Sequence, residues 1–180
     1  MIIILMGVSG SGKTTVGRLL ADMLGWPFYD ADDFHTEANI LKMRSGTPLS
    51  DADRAPWLHA LEHLISDLLS EDQSAVLACS ALKAAYRERL KASSASDPSA
   101  IRLVYLRISP ALAERRSQQR PGHFMPQGLV PSQFETLEEP KDALLIEATL
   151  APQKIAAAVI ADLRKQSDLY DTETAGDHAP

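Results

Sequence analysis

Residues 2–14 read IIILMGVSGSGKT. The run Ile2 to Met6 is short, apolar and rich in β-branched residues, and Gly7 stops it, which is the pattern of a fully buried strand. Gly7, Gly12, Lys13 and Thr14 then fit G-x-x-x-x-G-K-[ST]. From Lys13 onward, Val16, Leu19, Leu20, Met23 and Leu24 fall at helical spacing and end at Gly25, a natural residue just past a helix. A glycine-rich turn between a strand and a helix is the setting in which successive backbone N–H groups converge on phosphate oxygens. Gly7, Val8, Ser9, Gly10, Ser11 and Gly12 supply those groups here, and the helix N-terminus adds partial positive charge. Lys13 is expected on the terminal phosphates, the Thr14 hydroxyl on Mg²⁺, and Thr15 beside them on the nucleotide.

Working outward, WPFYDAD reads as a second short strand whose end delivers Asp30, Asp32 and Asp33. Asp53 or a neighbour is placed to cap a helix with Pro56 in its first turn and a buried stripe of Trp57, Leu58, Leu61, Leu64, Ile65, Leu68 and Leu69. SAVLACS, IRLVYLRI and ALLIEA read as strands. KAAYRERLKA, PALAERRSQQR, PSQFETLEEP and PQKIAAAVIADLRK read as helices, and SSASDPSA as a surface loop. Strands that are solid apolar runs, alternating with helices, specify an α/β fold with a parallel sheet covered on both faces. Ligands of such sheets bind beyond the carboxyl ends of the strands.

The chain has 180 residues, enough for one domain with a real core, and its 45% hydrophobic and 23% charged residues fit a soluble globular protein. The domain is expected over residues 1–167. The stretch 168–180 is acidic, aperiodic and expected to be disordered. A net charge of −6 offers no basic field for nucleic acid. The apolar opening is too short to span a membrane and lacks the basic flank of a signal peptide. A lone cysteine, Cys79, fits a reducing compartment, so the expected location is the cytoplasm.

The phosphate loop alone does not select a reaction. A GTPase needs an N-K-x-D motif, which is absent, and a D-x-x-G switch, whose one instance (Asp22 to Gly25) lies at the end of the first helix. A large ATPase needs an acid closing an apolar strand, whereas SAVLACS closes on Cys79 and Ser80. Acids placed early, after the second strand, suit a small kinase: one acid helps to hold Mg²⁺ through water and another meets the acceptor hydroxyl.

Six stretches, GVSGSGKTTVG, DADDFH, NILKMRSGTPLSDADRAPWL, CSALKAAYRERL, RPGHFMP and SQFETLEEP, together resemble the gluconokinases, small P-loop enzymes. They run in order to about Pro140. The third and fourth are the specific ones. Ala31 departs from the family pattern, where glycine is frequent. The resemblance implies a fold like that of the nucleoside and shikimate kinases, ATP and Mg²⁺ as cofactors, and a homodimer. The implied reaction is ATP-dependent phosphorylation of D-gluconate to 6-phosphogluconate, which feeds the pentose phosphate route. Another small-molecule kinase, for shikimate or a nucleoside monophosphate, and an ATP-binding module without chemistry are the alternatives.

The residue chemistry gives each position an expectation. Gluconate is an anionic polyol, so its site needs a cation, several hydrogen-bonding groups and an acid at the attacking oxygen. Asp32 is the candidate acid and Asp30 the candidate for the metal's water shell. His35 follows Asp32 by three residues and joins it in the pocket if the turn is helical. Arg54, or alternatively Arg87, is placed to clamp the carboxylate. Lys42, Met43, Ser80 and Lys83 are candidate pocket contacts, with His123 and Gln133 completing the sugar site. Trp57 reads as a core anchor and Cys79 as packing. PALAERRSQQRPGHFMP has little apolar stripe and reads as a mobile lid over about 111–128, bringing Arg116 or Arg120 to the transferring phosphate.

Overall fold

A computed structural model of the chain describes residues 1–94, 97–119 and 129–176, with side chains described as far as residue 165, Ser93 excepted. Five parallel strands form one sheet in the order β2-β3-β1-β4-β5: β1 (Ile2–Met6), β2 (Phe28–Asp30), β3 (Ala75–Ala78), β4 (Ile101–Arg107) and β5 (Leu144–Glu147). β1, every residue of which is buried, lies at the centre, so the loop that follows it leaves the middle of the sheet. Its side chains alternate between two cores. Ile2, Ile4 and Met6 pack against Trp57, Leu58, Leu61 and Ile65 of α3 (Asp51–Ser70) and Tyr86 and Leu90 of α4 (Ala84–Lys91). Ile3 and Leu5 pack on the other face with Val16 and Leu20 of α1 (Lys13–Leu24), Ala113 of α5 (Pro110–Gln118) and Ile155 and Val159 of α7 (Pro152–Gly176). The expected two-sided parallel sheet is therefore the one observed.

Three local features differ from the sequence reading. An additional helix, α2 (Glu37–Arg44), precedes α3; Thr36 caps it, its Oγ1 accepting the Asn39 N–H at 3.2 Å. The cap of α3 is Ser50, in a reciprocal box with Asp53, so Asp53 is the third helical residue and Pro56 lies beyond the first turn. α6 (Leu129–Thr136) begins before Pro131, and α7 continues to Gly176, past Lys165 where the sequence reading ended that helix.

Two glycines of the first loop are required by close approach. Gly10 has φ +81°, and a Cβ there would lie 2.5 Å from the Ala113 carbonyl oxygen of α5. At Gly7, φ +144°, a Cβ would lie 2.8 Å from the Leu106 carbonyl oxygen. The loop is thus wedged between the ends of β1, β4 and α5 with no room for side chains at these points.

Candidate active site

β1, β2 and β3 all end at the same edge of the sheet, and the segments that follow them meet in one cleft. It is lined by Ser9, Gly10, Gly12, Lys13 and Thr14 of the loop, Asp32 and His35 after β2, Met43, Pro48, Leu49, Arg54 and Trp57 from the α2–α3 region, Ser80, Leu82 and Tyr86 after β3, and Leu129, Ser132, Gln133 and Thr136 of α6. The phosphate loop and most of the expected acceptor residues therefore face the same space.

Several of the loop's polar groups are engaged within the chain, whereas the Ser11 hydroxyl is buried without a hydrogen-bond partner. The Lys13 ammonium donates to the Gly7 and Val8 carbonyls at 2.9 and 3.0 Å. The Thr14 hydroxyl donates to Asp30 Oδ2 at 2.9 Å, and Gln133 Oε1 accepts the Ser9 N–H at 2.6 Å. Asp30 also caps the 3-10 turn Ala31–Phe34, its Oδ1 accepting the Asp32 N–H at 3.2 Å. Asp30 thus both caps the turn and faces the Thr14 hydroxyl. The turn brings Asp32 and His35 to the cleft together, while Asp33 is exposed.

His35 stacks on Trp57, with ring centroids 4.8 Å apart and planes 11° from parallel. Trp57 is in turn fixed by donating its Nε1–H to the Ala31 carbonyl at 2.7 Å. Burial, reinforced by the Arg54 guanidinium, lowers the His35 pKa to about 4, so the ring is neutral near pH 7. Its Nδ1 is buried without a hydrogen-bond partner. Burial pushes the Cys79 thiol up to about 12, which leaves it a packing residue, as expected.

The two candidate arginines separate. Arg54 lines the cleft, donating to the Leu49 carbonyl at 2.6 Å and standing 5.9 Å above the Tyr86 ring. Arg87 is 5% exposed and lies outside the cleft lining, donating through Nη1 to the Ala81 and Leu82 carbonyls, each at 3.0 Å. Ala81 has a left-handed φ of 44°, uncommon for a residue with a Cβ, so Arg87 braces a strained turn. Lys83 and Lys42 are engaged beside the cleft rather than in it. Lys83 pairs with Asp51 at 2.8 Å, holding that carboxyl below the usual range, and Lys42 pairs with Asp53 at 2.6 Å. Met43 and Ser80 line the cleft as expected.

Ser11 and Thr15 face a second cavity across the loop, with Gly12, Val16, Arg116, Ala148, Leu150, Pro152 and Ile155. Arg116 is anchored there, donating to the Ala148 carbonyl at 2.9 Å. Arg120, His123 and the rest of the expected lid past Gln119 lie outside the described residues. The sequence reading had not placed Tyr86, Leu129, Ser132 and Thr136 in the cleft. Ser132 and Thr136 flank Gln133 on one helix face, and that spacing was the available signal.

Among the described residues no group of three or more His, Cys, Asp or Glu side chains is arranged to hold a metal ion. The Thr14–Asp30 pair, a hydroxyl and a carboxylate at the loop, fits the sparse protein contribution that Mg²⁺ takes when phosphates and water complete its shell. No helix among the described residues is long and apolar enough to cross a membrane.

A glycine loop at the head of a central parallel strand, with acids delivered by the neighbouring strand into the same cleft, defines a P-loop kinase. A family model described as an AAA domain matches residues 2–140. A probable gluconokinase of Rattus norvegicus is 45% identical over 180 residues, covering 91% of this chain and 97% of its own. A gluconokinase of Gluconobacter oxydans is 47% identical over 140 residues, covering 78% and 76%. The crystal structure of a gluconokinase from Sinorhizobium meliloti superposes with a TM-score of 0.80 at 38% identity, covering 94% of this chain and 95% of that one. The chain belongs to the gluconokinase family.

Proposed function

We propose that the protein transfers the γ-phosphoryl group of ATP to the 6-hydroxyl of D-gluconate. The observation that carries this reading is the shared cleft: the phosphate loop forms one wall, and the opposite wall holds Asp32, His35 and the guanidinium of Arg54. Family membership supplies the acceptor, and the residues suit it. Arg54 is the cation for the carboxylate, since it lines the cleft, whereas Arg87 lies outside that lining and is turned to the Ala81 and Leu82 carbonyls. Neutral His35, Ser80 and Gln133 offer hydrogen bonds to a chain of hydroxyls.

In the mechanism, Asp32 orients the 6-hydroxyl and accepts its proton as the new O–P bond forms and the bond from Pγ to the ADP oxygen breaks. Lys13 turns from the Gly7 and Val8 carbonyls to the phosphates and offsets their growing charge. Thr14 and, through water, Asp30 would hold Mg²⁺, which supplies charge neutralisation at the phosphates. The second cavity, bordered by Leu150, Pro152 and Arg116, is the seat we assign to the purine, with Arg116 toward the phosphates.

The test is ADP release from ATP in the presence of gluconate, shikimate, AMP or CMP. Turnover with gluconate alone is expected. Asp32→Asn should lower kcat by about 10²-fold or more while ATP binding persists. Turnover with shikimate or a nucleotide but not gluconate overturns the reading, and so does acceptor-independent behaviour that Asp32→Asn leaves intact.

A further inference from the structure

Gln133 connects the two walls of the cleft. It stands on α6, among the acceptor-side residues, yet its Oε1 accepts the N–H of Ser9, 124 residues away in the phosphate loop, at 2.6 Å. The other polar residues that α6 presents to the cleft turn back on their own helix: Ser132 donates to the Leu129 carbonyl at 2.9 Å and Thr136 to the Ser132 carbonyl at 2.7 Å. Gln133 instead reaches across to the loop.

That contact lies on the loop to which the reading above assigns the nucleotide's phosphates. Ser9 is the third residue of the loop, and the loop holds phosphate through its backbone N–H groups. An amide N–H carries one proton. At 2.6 Å the Gln133 carboxamide occupies it, so a phosphate oxygen and Gln133 compete for the same donor. Lys13 donates to carbonyls of the loop itself, and Thr14 donates to Asp30 at the end of the adjacent strand. The Ser9 partner comes from the helix that walls the acceptor side.

We propose that Gln133 is a positioning residue that couples the two substrates. Its carboxamide holds the Ser9 amide until the nucleotide's phosphates take that donor. It then turns to the acceptor's hydroxyls in the same cleft, so that each substrate favours the binding of the other. The coupling half of this rests on the gluconate reading above; the competition at Ser9 does not. Such coupling is reciprocal by thermodynamic necessity and is no larger than the differential contact that produces it. One exchanged hydrogen bond corresponds to about fivefold in an affinity.

The experiment is calorimetric titration of the full chain with a non-hydrolysable ATP analogue, with and without saturating D-gluconate, in the parent, Gln133→Ala and Gln133→Leu. The parent is expected to bind the analogue about fivefold more tightly with gluconate present. In both variants the analogue alone should bind about fivefold more tightly than in the parent, because the competitor is gone, and gluconate should leave that affinity unchanged. Analogue affinity that is unchanged or weaker in a variant with the parent's circular dichroism spectrum overturns the proposal. So does a parent that turns over gluconate yet shows no gluconate effect on the analogue, or a variant that keeps the full effect. A parent that neither binds nor turns over gluconate overturns the functional reading instead, and the analogue-alone comparison still decides whether Gln133 competes for Ser9.

Discussion

The two arginines that the sequence left as alternatives for the carboxylate should respond to methionine in opposite ways. Arg87→Met removes the donor to two carbonyls in a buried turn, Ala81 and Leu82, each held at 3.0 Å. Leaving two buried carbonyls unpaired costs about 1–3 kcal/mol each. Part of this is offset, because methionine does not require desolvating a charge in a site where the arginine is 5% exposed. A net loss near 2 kcal/mol follows, which for a domain of this size lowers Tm by about 4–8 °C. Arg54→Met removes one bond, to the Leu49 carbonyl, at a position open to the cleft, so its Tm should move by about 2–4 °C at most. Its gluconate KM should instead rise about 10- to 100-fold, the range of a lost charge-assisted hydrogen bond, with the ATP KM little changed. Scanning calorimetry and initial rates at saturating ATP measure both quantities. If Arg87→Met keeps the parent's Tm and raises the gluconate KM while Arg54→Met leaves KM alone, the assignment of the cation is reversed and the reasoning fails.

Two further outcomes follow from the loop and from His35. Gly10→Ala puts a Cβ 2.5 Å from a carbonyl oxygen of α5 at φ +81°, so it should lower Tm and abolish ATP binding; a variant that binds ATP normally would show that the loop is not wedged as described. His35 has its folded pKa lowered from 6.5 to about 4, so between those values the unfolded chain binds the extra proton and stability falls as pH falls. The slope from this one group approaches about 1.4 kcal/mol per pH unit. Denaturant unfolding from pH 7 to 4.5 should therefore show the parent losing stability faster than His35→Gln, and parallel curves would contradict the buried, neutral ring.

The sheet was legible because its strands are solid apolar runs, and the phosphate loop because its chemistry demands glycines and a lysine at fixed offsets. The helix α2 was not legible. EANILKMR buries only Asn39 and Met43, so it carries no hydrophobic stripe, and what secures it is polar: the Thr36 cap and the Asn39 side chain donating to the Asp53 carbonyl at 2.7 Å. The start of α3 was misplaced for a related reason. Asp51, Asp53 and Ser50 are all competent caps, and only the reciprocal bonding of Ser50 with Asp53 selects among them. Arg87 looked like a ligand because charge near a strand end suggests one. Its real task, bracing a left-handed alanine, depends on backbone geometry that residue types do not encode.

The same division explains why the acceptor side resists reading while the nucleotide side does not. The loop hangs from β1, whose two faces feed the two large cores, so its position is dictated by patterns repeated along the whole chain. The far wall of the cleft rests on a separate cluster of three residues, Met43, Leu49 and Leu129, drawn from α2, the connection to α3, and α6. Three residues 6 and 80 positions apart leave no periodicity in a sequence. They pack one end of α6, the helix that carries Gln133, while Val130 and Phe134 of the same helix join one of the large cores. A site assembled in this way can keep its phosphate chemistry constant on the sheet side, while acceptor choice varies through small packing changes among a few apolar contacts.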